Sequence, residues 1–320
     1  IPTEYIFKGL VIFLPSFLQS DIRDYSSLYK VCEGVDCIFH TASYGMSGPE
    51  QLRKEQVESV NVEGTNNVIN VCKERSIPRL VYTSTINVVF AGKPIEEGDE
   101  VSVPYVPPDH IDHYSRTKAI AEQMVLSANG CSLTGGGLGL QTCVLRPCGI
   151  YGPEERRHLH RVNVERRLFS FRFGDPRARM NWVHVNNLVL AHTLAAEALT
   201  LQRSCVAVSQ GKLTTYITSV CFMLPLQFEK LGYSRPLINL PVSLVYLAGS
   251  SPLFLLNFIA VSHTFKIDKA RQELGYCPKP YSLTDSVEQY LKSRQPRSSL
   301  PIRCNKICFL MLVYICLISK

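Results

Sequence analysis

Short apolar runs alternate with long helix-patterned stretches across residues 36–153, and that rhythm leaves the chain few architectures. "DCIFHTAS" (36–43), "RLVYTST" (79–85) and "TCVLRPCGIYGP" (142–153) each begin as a brief, β-rich, apolar segment. Runs of that kind are strands buried on both faces. Between the first two, Val57, Val60, Gly64, Val68 and Val71 recur at helical spacing within a stretch from Glu50 to Glu74. Between the second and third, a loop of Pro, Gly and acids leads into "HYSRTKAIAEQ" (113–123), which also reads as a helix. Connections long enough to hold a helix are crossovers, not hairpins, so the strands pair in parallel. The expected fold is α/β: a doubly wound parallel sheet with helices on both faces, followed by a smaller C-terminal region.

In open parallel sheets, ligands bind beyond the carboxyl ends of the strands. Three unusual clusters fall at such ends: "HTAS" (40–43), "STIN" (84–87) and "RPCGIYGP" (146–153). Small residues at the first let a ligand approach the backbone. Hydroxyls at the second can bond a reacting oxygen. Pro147 and Gly149 at the third interrupt the strand edge and expose backbone groups. Tyr114 and Lys118 lie four positions apart in the helix opening between the second and third clusters, so they share a face turned to the same crevice. With 15 tyrosines in the chain, that spacing alone means nothing. Its weight comes from the strand ends around it. A tyrosine with a pKa near 10 is a poor base at neutral pH, and a neighbouring ammonium lowers that pKa. A Tyr–Lys pair in a ligand crevice therefore suits proton transfer at an alcohol.

Composition excludes several alternatives. The 320 residues are 46% apolar and 19% charged, enough for one large α/β core or two modest domains. The net charge of +7 belongs largely to the end of the chain, where residues 289–320 carry six basic side chains and no acidic one. "EERRHLHRVNVERR" (154–167) lacks the interleaved aromatics of a nucleic-acid face and reads as an exposed amphipathic helix. The 12 cysteines form no CxxC pair, and His158 and His160 have no companions at ligand spacing. Reduced thiols and no metal site are expected. "GGGLG" (135–139) precedes a strand, whereas a phosphate-cradling loop follows one, so it reads as a surface connection. Asn61 fits equally a ligand-side group and a structural hydrogen-bonder, and Thr83 and Ser84 read as ordinary strand residues.

Two segments bear on membranes. Leu240–Val261 is long enough to span a bilayer, but Pro241, Ser243, Ser250, Ser251 and Pro252 interrupt it. A span and a greasy helix lining an apolar pocket both fit. "ICFLMLVYICLIS" (307–319), flanked by Arg303, Lys306 and Lys320, is a short version of a tail anchor. "GLVIFLPSFL" (9–18) is short and holds Pro15, which argues against a signal peptide.

The chain resembles the extended short-chain dehydrogenase/reductases, within them the 3β-hydroxysteroid dehydrogenase/isomerase branch, and is most similar to the membrane-associated 42E group. The residues that carry the likeness are "SDIRD" (20–24), "IFHTAS" (38–43), "VNVEGTNNVINVC" (60–72) and "RLVYTSTINVVF" (79–90). They continue with "HYSRTKAIAEQMVLSANG" (113–130), "LRPCGIYGP" (145–153), "WVHVNNLVLAHTLAAEAL" (182–199) and "IDKARQELGY" (267–276). The resemblance implies a Rossmann-type domain over residues 1–200, a substrate-binding region over 201–293 with its apolar segment at 236–265, and a basic linker with a hydrophobic tail over 294–320. It implies NAD as cofactor, with NADP left open, and oxidation of a steroid or sterol 3β-hydroxyl. Tyr114 would be the acid/base, Lys118 its electrostatic partner and ribose ligand, and Thr85 the hydroxyl steadying the substrate oxygen, with Ser84 as understudy. Asp21 and Ile22 would flank the adenine. Thr41, Ala42 and Ser43 would line the cofactor backbone, and Pro147, Gly149 and Ile150 would meet the nicotinamide amide.

The family's glycine-rich loop belongs upstream of "SDIRD", and only 20 residues precede Asp21. The first strand and that loop are therefore expected to be missing, and the chain alone is expected to bind NAD poorly or not at all. The text at 200–225 also departs from the family's. The implied setting is the endoplasmic-reticulum membrane with the catalytic domain facing cytosol, or the cytoplasm itself. No nucleic acid is expected as partner. The alternative is a catalytically silent membrane-associated protein that keeps the fold to bind lipids or partners.

Overall fold

The computed structural model describes residues 18–46, 48–106, 112–137, 139–153, 171–172, 179–199, 212–214, 238–239, 261–281 and 288. In chain order these build α1 (Tyr25–Val31), β1 (Cys37–His40), α2 (Lys54–Glu58), α3 (Gly64–Glu74), β2 (Arg79–Thr83) and β3 (Ile95–Gly98). Next come α4 (His113–Ser127), β4 (Gln141–Arg146), β5 (Gly149–Tyr151), β6 (Phe171–Arg172), β7 (Trp182–His184) and α5 (Val185–Ala198). β8 (Lys212–Thr214), β9 (Ile238–Asn239), β10 (His263–Phe265) and α6 (Asp268–Leu274) complete the order.

The central sheet runs β1-β2-β4-β8 with every pair parallel, as the alternating pattern predicts. Its two faces are read from strand alternation. Ile38, Leu80, Tyr82 and Val144 join Leu28, Val68, Val71, Ala121 and Val125 in a core under α1, α3 and α4. The intervening Cys37, Val81, Cys143 and Leu145 join Ala191, Ala195, Ala196, Ala198, Ala270 and Leu274 in a second core under α5 and α6. Helices on both faces make the sheet doubly wound. β8 and α6, both past residue 200, belong to this same layered unit. Three small parallel pairs, β3 with β10, β5 with β7 and β6 with β9, lie outside the central sheet.

The stretch expected as one helix over Glu50–Glu74 is broken. A 3-10 turn (Gly48–Leu52) leads to α2, then a π-helical turn (Ser59–Glu63), then α3. Its predicted inner face survives the break, with Val57, Val60, Gly64, Val68 and Val71 all buried. Gly64 is needed there: a Cβ would lie 2.5 Å from the Ile22 side chain. α4 starts where Asp112 accepts from the Ser115 N–H at 3.1 Å, an N-cap that satisfies a first-turn donor. Gly136 and Gly137 sit at φ +76° and +91° in the connection before β4, so "GGGLG" is a turn into a strand.

Several expectations concern residues outside the described set: the run 9–17, the helix at 154–167, and most of 200–225. The apolar stretch 240–260 and the tail at 294–320 also lie outside it. Among the described residues, no helix is long and apolar enough to cross a membrane.

Candidate active site

The carboxyl ends of β2 and β4 are tied together by backbone. Ser84 N–H donates to the Leu145 carbonyl at 2.7 Å, and Ile86 N–H donates to Pro147 at 3.2 Å. Pro147 is buried and its carbonyl is used in this tie, so the expectation of exposed backbone groups there is corrected at that position. In the same cluster Gly149 is half-buried, while Ile150, 40% exposed, and Pro153 are exposed. Gly149 has no room for a side chain, because a Cβ would meet the Trp182 ring at 2.7 Å.

Past β1, Thr41 is exposed, Ala42 is buried and Ser43 is half-buried. The Ser43 hydroxyl faces the Tyr114 phenol, with 3.4 Å between the oxygens. This contact joins the first strand end to the first turn of α4, across 71 residues of sequence. Asn61 holds the arrangement. Its Oδ1 accepts from Tyr44 N–H at 2.9 Å, and its Nδ2 donates to the Tyr44 carbonyl and to Thr117 Oγ1, each at 3.0 Å. Thr117 donates in turn to the Tyr114 carbonyl at 2.8 Å. Both readings of Asn61 were open in the sequence; the structure shows it bracing the loop and α4 from inside the π turn. Such turns often mark sites where side chains must be re-aimed.

Lys118, one turn along from Tyr114, is almost wholly buried. Its ammonium donates to the Thr83 carbonyl at 2.7 Å and lies 4.2 Å from the centre of the Tyr82 ring. Burial pushes its pKa down to about 7, and Glu122 pulls the other way. His40, at the end of β1, faces the same space. Burial, helped by the Lys118 charge, pushes it down to about 3, so it is a neutral ring bonded to Thr65 Oγ1 at 2.8 Å.

Thr85 and Ser84 now separate. Ser84 donates its hydroxyl proton to Glu122 Oε2 at 2.6 Å. Thr85 caps a 3-10 turn (Ile86–Val89), and its oxygen accepts from Asn87 N–H at 3.2 Å. A hydroxyl has one proton, so Ser84 has spent its donor while Thr85 keeps one to offer a substrate oxygen. Thr83 is not idle either: its hydroxyl meets His192 Nε2 at 2.7 Å, while the His192 Nδ1 bonds the Leu188 carbonyl at 2.8 Å.

Sequence reasoning missed the cluster behind this site. Glu122 and Arg146 form a buried pair, with Arg146 Nη2 2.7 Å and Nε 3.0 Å from Oε1. Tyr105 donates to the same oxygen at 2.5 Å. A charged Arg146 ending the apolar run "TCVLR" was the available signal, because a buried charge requires a partner.

At the far edge, Asp21 is held by Arg23, which reaches both carboxylate oxygens through Nε and Nη2. That hydrogen bonding keeps the Asp21 carboxyl below its ordinary range. Ile22 turns its side chain into the core against Gly64, and its carbonyl accepts from Asn67 at 3.0 Å. Any contact it makes with a base is left to its backbone. The donor set at the crevice, namely the Thr41, Ser43 and Thr85 hydroxyls, the Tyr114 phenol and the Lys118 ammonium, fits the hydroxyl-rich ribose of a nicotinamide nucleotide with an alcohol beside it.

Fold and site together define an oxidoreductase of the short-chain dehydrogenase/reductase class, acting on CH–OH groups with NAD(P). The chain belongs to the 3-beta hydroxysteroid dehydrogenase/isomerase family, which it matches over residues 9–221. It is 45% identical over 324 residues to the human short-chain dehydrogenase/reductase family 42E member 1, covering 93% of this chain and 81% of the relative. The zebrafish (Danio rerio) protein of the same name is 44% identical over 313 residues, covering 90% and 79%. An Arabidopsis thaliana 3beta-hydroxysteroid-dehydrogenase/decarboxylase (isoform 1) is 33% identical over 291 residues, covering 82% and 63%. Among solved structures, the Stenotrophomonas maltophila UDP-glucose-4-epimerase superposes with a TM-score of 0.66 at 21% identity, covering 88% of this chain and 84% of that one. The dehydratase DesIV of Streptomyces venezuelae gives 0.62 at 21% identity, covering 86% and 79%. At that identity, the two solved structures speak for the fold alone.

Proposed function

We propose that this protein oxidises the 3β-hydroxyl of a steroid or sterol, with NAD as the preferred acceptor. The observation that carries the reading is the meeting of Tyr114 with the β1 end at Ser43, on the same helix face as buried Lys118. The steroid class rests on the family and on the names of its relatives. Tyr114 takes the hydroxyl proton of the substrate. The Lys118 ammonium makes the phenolate accessible near neutral pH. Thr85 donates to the substrate oxygen and holds it near the phenol. When bound, NAD supplies the acceptor for the hydride that leaves the carbinol carbon. Asp21 and, through its backbone, Ile22 would flank its adenine, Thr41, Ala42 and Ser43 would line its path, and Pro147, Gly149 and Ile150 would border its amide. A lipophilic substrate also suits association with the endoplasmic-reticulum membrane, with the site facing cytosol.

The test is a panel: purified chain, NAD or NADP, and Δ5-3β-hydroxysteroids, sterols and sugar nucleotides, followed by absorbance of reduced nucleotide. Turnover with a 3β-hydroxysteroid or sterol is the expected result, with NAD supplied in large excess because weak binding is expected of the chain alone. Turnover confined to sugar nucleotides would discard the steroid reading.

A further inference from the structure

We propose that Glu122 is a positioning residue for the Tyr114–Lys118 site, a buried carboxylate that keeps Lys118 cationic and locks the end of β2 against α4. The inference rests on the dehydrogenase reading for its use, though not for its test. Glu122 lies one turn beyond Lys118, on the face of α4 that also buries Tyr114. It is fully buried, and four donors from three other parts of the chain converge on it. Arg146 at the end of β4 reaches Oε1 and Oε2 through Nε, at 3.0 and 3.2 Å, and Oε1 through Nη2 at 2.7 Å. Ser84, just past β2, donates to Oε2, and Tyr105, from the loop before α4, donates to Oε1. Burial, and then the Glu122 charge, push the Tyr105 phenol well up, so it stays a donor. The carboxylate is thus aimed from every side.

The groups around Lys118 show why an anion is needed there. From β1 comes His40, a neutral ring. From β2 come the Tyr82 ring and the Thr83 carbonyl, which are dipoles rather than charges. From its own helix come Tyr114 and Glu122. Burial drives Lys118 toward the neutral amine, and Glu122 is the charge that opposes it. A neutral amine at this place could not hold a phenolate on Tyr114. The same carboxylate consumes the Ser84 proton, which leaves Thr85 as the hydroxyl facing the substrate. A buried Arg–Glu pair is weak support for stability, since apolar residues of similar volume often replace one without loss. Its placement one turn behind Lys118 gives it a different use.

Lysine labelled with ¹³C and ¹⁵N lets the Lys118 side chain be titrated in the full chain by NMR, its signal assigned by its loss in Lys118→Arg. Two variants are compared: Glu122→Gln, whose amide can accept from one of the Ser84 and Tyr105 hydroxyls and donate to the other, and Glu122→Gln/Arg146→Met, which also removes the unpaired cation should the single variant fold poorly. The titration midpoint of Lys118 should fall by about 1 or more on the pH scale in Glu122→Gln, and by less in the double variant, which loses the Arg146 cation along with the anion. On a substrate from the panel, the rising limb of kcat/KM against pH should move upward while KM changes little. An unmoved Lys118 midpoint in a folded variant overturns the proposal. Because the midpoint is read without turnover, a chain that oxidises nothing would defeat the dehydrogenase reading and leave this result standing.

Discussion

α4 and α5 are nearly the same length, 15 and 14 residues, and pack on opposite faces of one sheet, yet they bury opposite chemistry. α5 buries Ala191, Ala195, Ala196, Ala198, Leu188 and Asn187. Small side chains let that helix settle close to the strands, and its buried amide, Asn187, grips the Lys279 backbone at 2.9 and 3.0 Å. α4 buries Tyr114, Ser115, Thr117, Lys118 and Glu122 among its alanines and Val125. Burying a lysine and a glutamate costs free energy that packing alone does not require. The contrast teaches which helix is scaffold and which carries chemistry, so substitutions on α4 should reach activity and those on α5 stability alone.

The largest effect expected is from Arg146→Met, which leaves Glu122 buried and unpaired and should cost about 3–5 kcal/mol in urea unfolding. Adding Glu122→Gln should restore stability to within ~1 kcal/mol of the parent, because no buried charge is then left unpaired and the Gln amide can accept from one of the Ser84 and Tyr105 hydroxyls and donate to the other. If the double variant stays as unstable as the single, the pair is scaffold and the contrast with α5 fails. Next, Ala195→Leu on α5 should overpack the second core by about 1–3 kcal/mol while leaving hydride transfer unchanged. A large loss of kcat there would mean that α5 is more than scaffold.

His40 gives an effect that pH alone reveals. Its folded pKa of about 3 lies below the unfolded value near 6.5, so the unfolded chain takes up a proton first as pH falls. The His40 contribution is intact above about 6.5 and is lost progressively toward 3, amounting to ~2 kcal/mol at pH 5. His40→Gln should flatten that slope in unfolding measured between pH 4 and 7, and an unchanged slope would place its source elsewhere. The smallest effect is from Asp112→Ala, loss of the α4 cap, at about 1 kcal/mol.

The layered fold is legible because period-two burial writes itself into strands: Cys37, Val81, Cys143 and Leu145 face one core, and Ile38, Leu80, Tyr82 and Val144 the other. Tyr114 and Lys118 are legible by their place between two strand ends. The partners of Glu122 are not, since they lie 38, 24 and 17 positions away and no local pattern pairs one carboxylate with one guanidinium. Nor is the π turn at Ser59–Glu63, because the apolar spacing of a helix runs through it undisturbed and the break shows only in how Asn61 brackets Tyr44. The choice between Ser84 and Thr85 likewise needed the proton count at Glu122.

The claim that α4 is the chemical helix stands on Tyr114. Turnover of Tyr114→Phe, measured beside the parent on the best alcohol of the panel with melting temperature as control, tests it most directly. A fall in kcat of about 10²–10⁴-fold in a chain that melts like the parent is the predicted result. Equal turnover in the two would contradict it.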